Sequence, residues 1–144
     1  MTNELYRSSI SLRLTSFIIP ADFMISTVGM TPLFAWNKGE SRLLPYGKEL
    51  NSVKENSYAS FRLFENDDRW LPEMLSESVE RLRIHRNFFH QLKNDEGGRA
   101  EFFIGWFLSR SGGDTLPSSL LLEVANLGLD LSFDIYPGED TEEP

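Results

Sequence analysis

The sequence predicts an α+β fold, a mostly antiparallel or mixed sheet with helices packed on it, and three observations carry that expectation. Apolar residues alternate with period two in some short stretches and recur at helical spacing in others, and the two kinds of stretch succeed one another along the chain. With 144 residues, 40% of them apolar and 12% aromatic, the chain suffices for one core and leaves no room for a second.

Residues 9–18 put Ile10, Leu12 and Leu14 on one side and read as a half-buried strand. Pro20 fixes a φ suited to a helix's first turn, and residues 21–28 run to Gly29, a left-handed stop, with Pro32 just beyond. A short strand is expected within 33–40, then one long connection over about 40–56, rich in Pro, Gly, Asn, Ser and charge. Residues 57–65 set Ala59, Phe61 and Leu63 against Tyr58, Ser60, Arg62 and Phe64, a strand pattern. The longest element is a single helix from about 68 to 93, with Leu71, Met74, Leu75, Val79, Leu82, Phe89 and Leu92 on one stripe and Asp67 or Asp68 as N-cap. Its acids come before its bases, an order that complements the helix dipole and describes a solvated face.

Residues 99–110 are apolar on both faces, which suits the middle of a sheet or the contact of a homodimer. After the turn SGGD, a helix over about 116–127 has Pro117 in its first turn and Gly128 as its stop. Residues 129–136 then alternate Leu129, Leu131, Phe133 and Ile135 with Asp130, Ser132, Asp134 and Tyr136. The order is therefore β-α-β-β-α-β-α-β within one domain over 1–137. Two units of strand, Pro, helix and Gly flank the long helix, as a ferredoxin-like sandwich or a relative of it requires. Residues 138–144 are expected to be a disordered acidic tail.

Charge narrows the function classes. All 14 Lys and Arg fall in residues 1–110, balanced there by 14 acids, so the net charge of −8 arises wholly in 111–144. That segment repels phosphate backbones and anionic lipid and attracts basic proteins over about a Debye length, which disfavours nucleic-acid and membrane partners. No cationic leader or membrane-length apolar run stands in the sequence, and no cysteine does, so a cytoplasmic setting is expected.

The strand at 11–14, the turn Val28-Gly29-Met30-Thr31-Pro32, the motif Trp36-Asn37-Lys38-Gly39-Glu40, and the closing strand with Leu127-Gly128, Leu131 and Asp134-Ile135-Tyr136 follow one another in this order. Taken together they resemble a bacterial family catalogued as domain of unknown function 4279. The likeness covers roughly 9–137. It implies a fold and a bacterial cytoplasm and no reaction; small acidic bacterial domains of this sort often serve as immunity proteins against toxins, an analogy only.

Chemistry is sparse. His85 and His90 are five apart, about 140° around a helix, and cannot share a metal as an i, i+4 pair would. Asp130 and Asp134 lie roughly 13 Å apart along a strand, too far for a glycosidase pair. SGGDT lacks the lysine of a phosphate loop, and no nucleophile elbow is present. The chain is thus expected to bind and not to catalyse, without metal or cofactor. Asp114, Glu123, Asp130, Asp134 and Tyr136 are the predicted contacts for a basic toxin domain, Tyr136 as aromatic anchor. The alternatives are a housekeeping or self-associating domain, and a small-ligand sensor built on Trp36, Lys38 and Glu40.

Overall fold

The computed structural model describes residues 2–43 and 49–138, so the expected tail beyond Gly138 lies outside the described residues. The elements are β1 (Tyr6–Ser16), α1 (Ala21–Val28), β2 (Phe34–Trp36), β3 (Ser41–Leu43), β4 (Glu49–Val53), β5 (Ser57–Asp67), α2 (Leu71–Leu82), a 3₁₀ turn (Arg83–His85), α3 (Arg86–Asn94), β6 (Arg99–Leu108), α4 (Ser118–Leu127) and β7 (Asp130–Tyr136). The main sheet has the order β2-β5-β1-β6-β7, antiparallel except for the parallel β6–β7 pair. Its first four strands, with α1 and the α2–α3 arm as crossovers, have the ferredoxin-like arrangement, and α4 with β7 adds a fifth strand.

Every crossover lands its helix on the same face. Tyr6, Ile10, Leu12 and Leu14 of β1, Ala59 and Phe61 of β5, and Ala100, Phe102 and Ile104 of β6 point there and are buried. They meet Met24 of α1, Leu71, Met74, Leu75, Val79 and Leu82 of α2, Phe89 and Leu92 of α3, and Leu120, Val124 and Leu127 of α4 in one core. β6 is an inner strand, as its two apolar faces require.

Three elements differ from the sequence reading. The strand expected at 9–18 ends at Ser16, whose Oγ accepts the N–H groups of Ile18 and Ile19 and turns the chain off the sheet. The span expected as one connection, 40–56, carries the β3–β4 hairpin, a separate two-stranded sheet. The single long helix is two: a 3₁₀ turn interrupts it after Leu82, Ile84 in that turn is 83% exposed, and Phe88, Phe89 and Leu92 of α3 return to the core beyond it.

The helix ends also shift. Pro20 and Pro117, expected in a first turn, stand at the N-cap with ψ of 153° and 149°. Gly29 and Gly128 stop their helices in the left-handed region, as read. Asp67 does not cap α2; it accepts from Arg69, and the N–H of Leu71 donates instead to the buried Tyr6 hydroxyl, 2.8 Å away.

Candidate functional site

Among the described residues no helix packs on the other face of the sheet. Paired residues of adjacent strands cross it in rows, one of them Phe34, Ser60, Arg13, Glu101 and Asp130, the next Arg62, Ser11, Phe103 and Ser132. Small serines stand beside arginines and aromatic rings, so the surface dips at Ser11 and Ser60. The resulting cleft of about 140 Å³ is lined by those serines with Arg13, Arg62, Leu33, Phe34, Tyr58 and Phe103.

Its polar groups are held from outside. Arg13 donates Nε and Nη2 to Glu101 at 3.2 and 3.0 Å, and its guanidinium sits 4.0 Å above the Phe103 ring. Glu101 is 5% exposed and accepts also from Ser132, so its charge is compensated where it is buried. Arg62 donates Nε to Ser11 and Nη1 to Glu65, at 3.0 and 3.1 Å. Ser60 is 2% exposed, and its hydroxyl has no hydrogen-bond partner among the described residues.

The larger hollow between α2 and α4, about 390 Å³, offers less. Its Arg83 pairs with Glu80 and Glu123, and its Arg86 donates to the Asn126 carbonyl.

The predicted acidic contacts do not form one patch. Asp114 accepts from Tyr6 and from the N–H of Thr115. Glu123 lies on α4 in the helix layer beside Arg83. Asp130 accepts from Lys93 at 2.8 Å. Asp134 accepts from the Tyr136 hydroxyl at the far end of β7, where Tyr136 stacks on Phe107 and is 46% exposed. The last quarter is one-signed in sequence, but its described acids fall on two sides of the molecule, and earlier bases meet two of them.

Trp36, Lys38 and Glu40 do not converge either. Trp36 stacks on Tyr58 with centroids 4.5 Å apart and carries Lys54, not Lys38, over its ring. The motif pins a turn: Asn37 Oδ1 accepts the first N–H of α1, from Ala21, at 2.8 Å, the Lys38 N–H donates to Ser57, and Gly39 takes φ 92°. His90 donates Nε2 to the Asn126 carbonyl, while His85 lies against Phe89. Among the described residues no group of three His, Asp or Glu side chains stands ready for a metal ion, and no helix is long and apolar enough to cross a membrane.

Two hydroxyl groups have unusual surroundings. Burial pushes the Tyr6 hydroxyl well above the ordinary tyrosine range, and the hydrogen bond it gives Asp114 adds to this while the Leu71 N–H opposes it. The bond to Asp134 raises exposed Tyr136 in the same direction.

The cleft residues Arg13, Arg62, Ser11, Ser60 and Phe103 escaped the sequence reading, although serines alternating with arginines on the polar side of two strands were visible. The family model described as Domain of unknown function (DUF4279) matches residues 3–138. No curated protein and no solved structure matches the chain.

Proposed function

The chain belongs to the DUF4279 family, whose description names no activity, and from that premise we propose that it is a non-catalytic binding protein whose working surface is the open face of the sheet. The observation that supports this is the cleft between Arg13 and Arg62, where a buried hydroxyl without a partner among the described residues lies among aromatic walls. Catalysis is not part of the proposal, because the hydroxyls there stand beside guanidinium groups, which cannot take up a proton. A cysteine-free chain suits a reducing cytoplasm.

The immunity reading has less to stand on. A toxin-facing acidic surface needs its carboxylates together and unpaired, whereas Asp130, Asp134 and Tyr136 share one face of β7 with Asp130 paired to Lys93 and Asp134 to Tyr136, and Asp114 and Glu123 lie elsewhere. Self-association through the open face would bury the cleft, so the protein should scatter light as a monomer at micromolar concentration.

An amide-resolved NMR screen of small fragments against the whole chain tests the proposal. Hits should perturb residues 11–13, 58–62 and 101–103. Hits gathered at the α2–α4 hollow, or none anywhere, would refute it.

A further inference from the structure

The cleft's chemistry is more specific than that of a generic binding surface. Each guanidinium has spent two nitrogens on the protein, Arg13 on Glu101 and Arg62 on Ser11 and Glu65, which leaves Nη1 of Arg13 and Nη2 of Arg62 without partners among the described residues. With the Ser60 hydroxyl, that makes three unused donors around one opening. Glu101 is buried and offsets Arg13, while Glu65 is 76% exposed and pairs with Arg62 in solvent, so the cleft offers directed hydrogen bonds and the positive charge of about one guanidinium. A dianion such as phosphate would be left undercompensated, whereas a single negative charge spread over two oxygens matches the donors. The remaining walls are apolar and largely flat, and about 140 Å³ lies below the several hundred typical of drug-sized sites.

We infer that this cleft binds a small monocarboxylic acid with a planar apolar body, its oxygens taken by Arg13, Arg62 and Ser60 and its body by Phe34, Tyr58 and Phe103; the inference rests on the open face being the working surface. The unused hydroxyl of Ser60 donates to one carboxylate oxygen and so gains the partner it lacks among the described residues. Phe34, 62% exposed on the edge strand, covers the bound ring from the side.

Calorimetric titration of the whole chain with sodium benzoate, benzamide and inorganic phosphate decides the matter. Benzoate should bind at one site, and benzamide and phosphate at least tenfold more weakly. Ser60→Ala and Arg62→Gln should each weaken benzoate roughly tenfold while leaving the melting temperature near that of the parent. Ser60→Ala guards against an Arg62→Gln variant disturbed through Ser11. Equal binding of benzamide, tighter binding of phosphate, or indifference to both substitutions overturns the inference. If benzoate does not bind but neutral fragments still shift open-face amides, the carboxylate assignment alone falls; if that face is silent too, the open-face reading falls with it.

Discussion

Tyr6 shows how one hydroxyl can join three elements. It is the first residue of β1, its ring meets Trp70 and Trp106 edge-on, and its oxygen accepts the Leu71 N–H at the start of α2 while donating to Asp114 ahead of α4. Neither Trp70, the N-cap of α2, nor Asp67 supplies a side-chain cap to that helix. Tyr6→Phe should therefore cost about 1–3 kcal/mol in urea unfolding, since it orphans a buried N–H and removes a donor from a carboxylate. The pH dependence follows from the raised folded value: the fold favours the neutral phenol, so this stabilisation is complete below the ordinary tyrosine value of about 10 and is lost as pH climbs past it. The stability gap between parent and Tyr6→Phe should be widest near pH 8 and shrink above pH 10. A gap that stays constant to pH 11 would mean that the hydroxyl is not held this way.

At the scale of elements, the two glycines that stop helices in the left-handed region make a controlled comparison. Gly29 and Gly128 end α1 and α4 with φ of 73° and 80°, so a Cβ at either is strained by roughly 1–2 kcal/mol. Open space surrounds a Cβ at Gly29, while one at Gly128 meets the His90 ring at 3.3 Å, and that ring is tied to the Asn126 carbonyl. Gly128→Ala should lower the melting temperature more than Gly29→Ala, and the excess should vanish in a His90→Ala background. Asn37→Ala removes the acceptor that caps α1 from the turn after β2 and should cost about 1 kcal/mol, read in the same melting experiment. Both glycine stops and the alternating strands were legible in the sequence, because they depend on local dihedral freedom and period-two patterning. The cap from Asn37, the break after Leu82 and the β3–β4 hairpin were not: the first is a contact across sixteen residues, and the others follow from how segments dock.

At the scale of the molecule, the cleft was illegible because its lining draws on four strands, so that residue 34 comes to lie near 60, 13 and 101 through pairings that no local pattern specifies. The predicted acidic contacts lie apart for the converse reason: residues close in sequence leave on opposite faces, Glu123 with the helices and Asp134 with the sheet. The same non-local pairing decides where stability concentrates. β1, first in the chain, is the central strand and bonds along its length to β5 and to β6, whereas β2 pairs through three residues at an edge and β3 and β4 pair only with each other. Opening β1 therefore requires breaking two ladders and the core under them, which approaches global unfolding, while the edge and the hairpin open alone. Native-state hydrogen exchange should find the slowest amides in β1, with Leu12 and Leu14 among them, and in the facing stretches of β5 and β6. Amides of β2 and β4 should exchange orders of magnitude faster, with little dependence on denaturant. Slow exchange in β4, or fast exchange at Leu12, would show that the sheet is not organised around its first strand, and the rows that form the cleft would lose their basis.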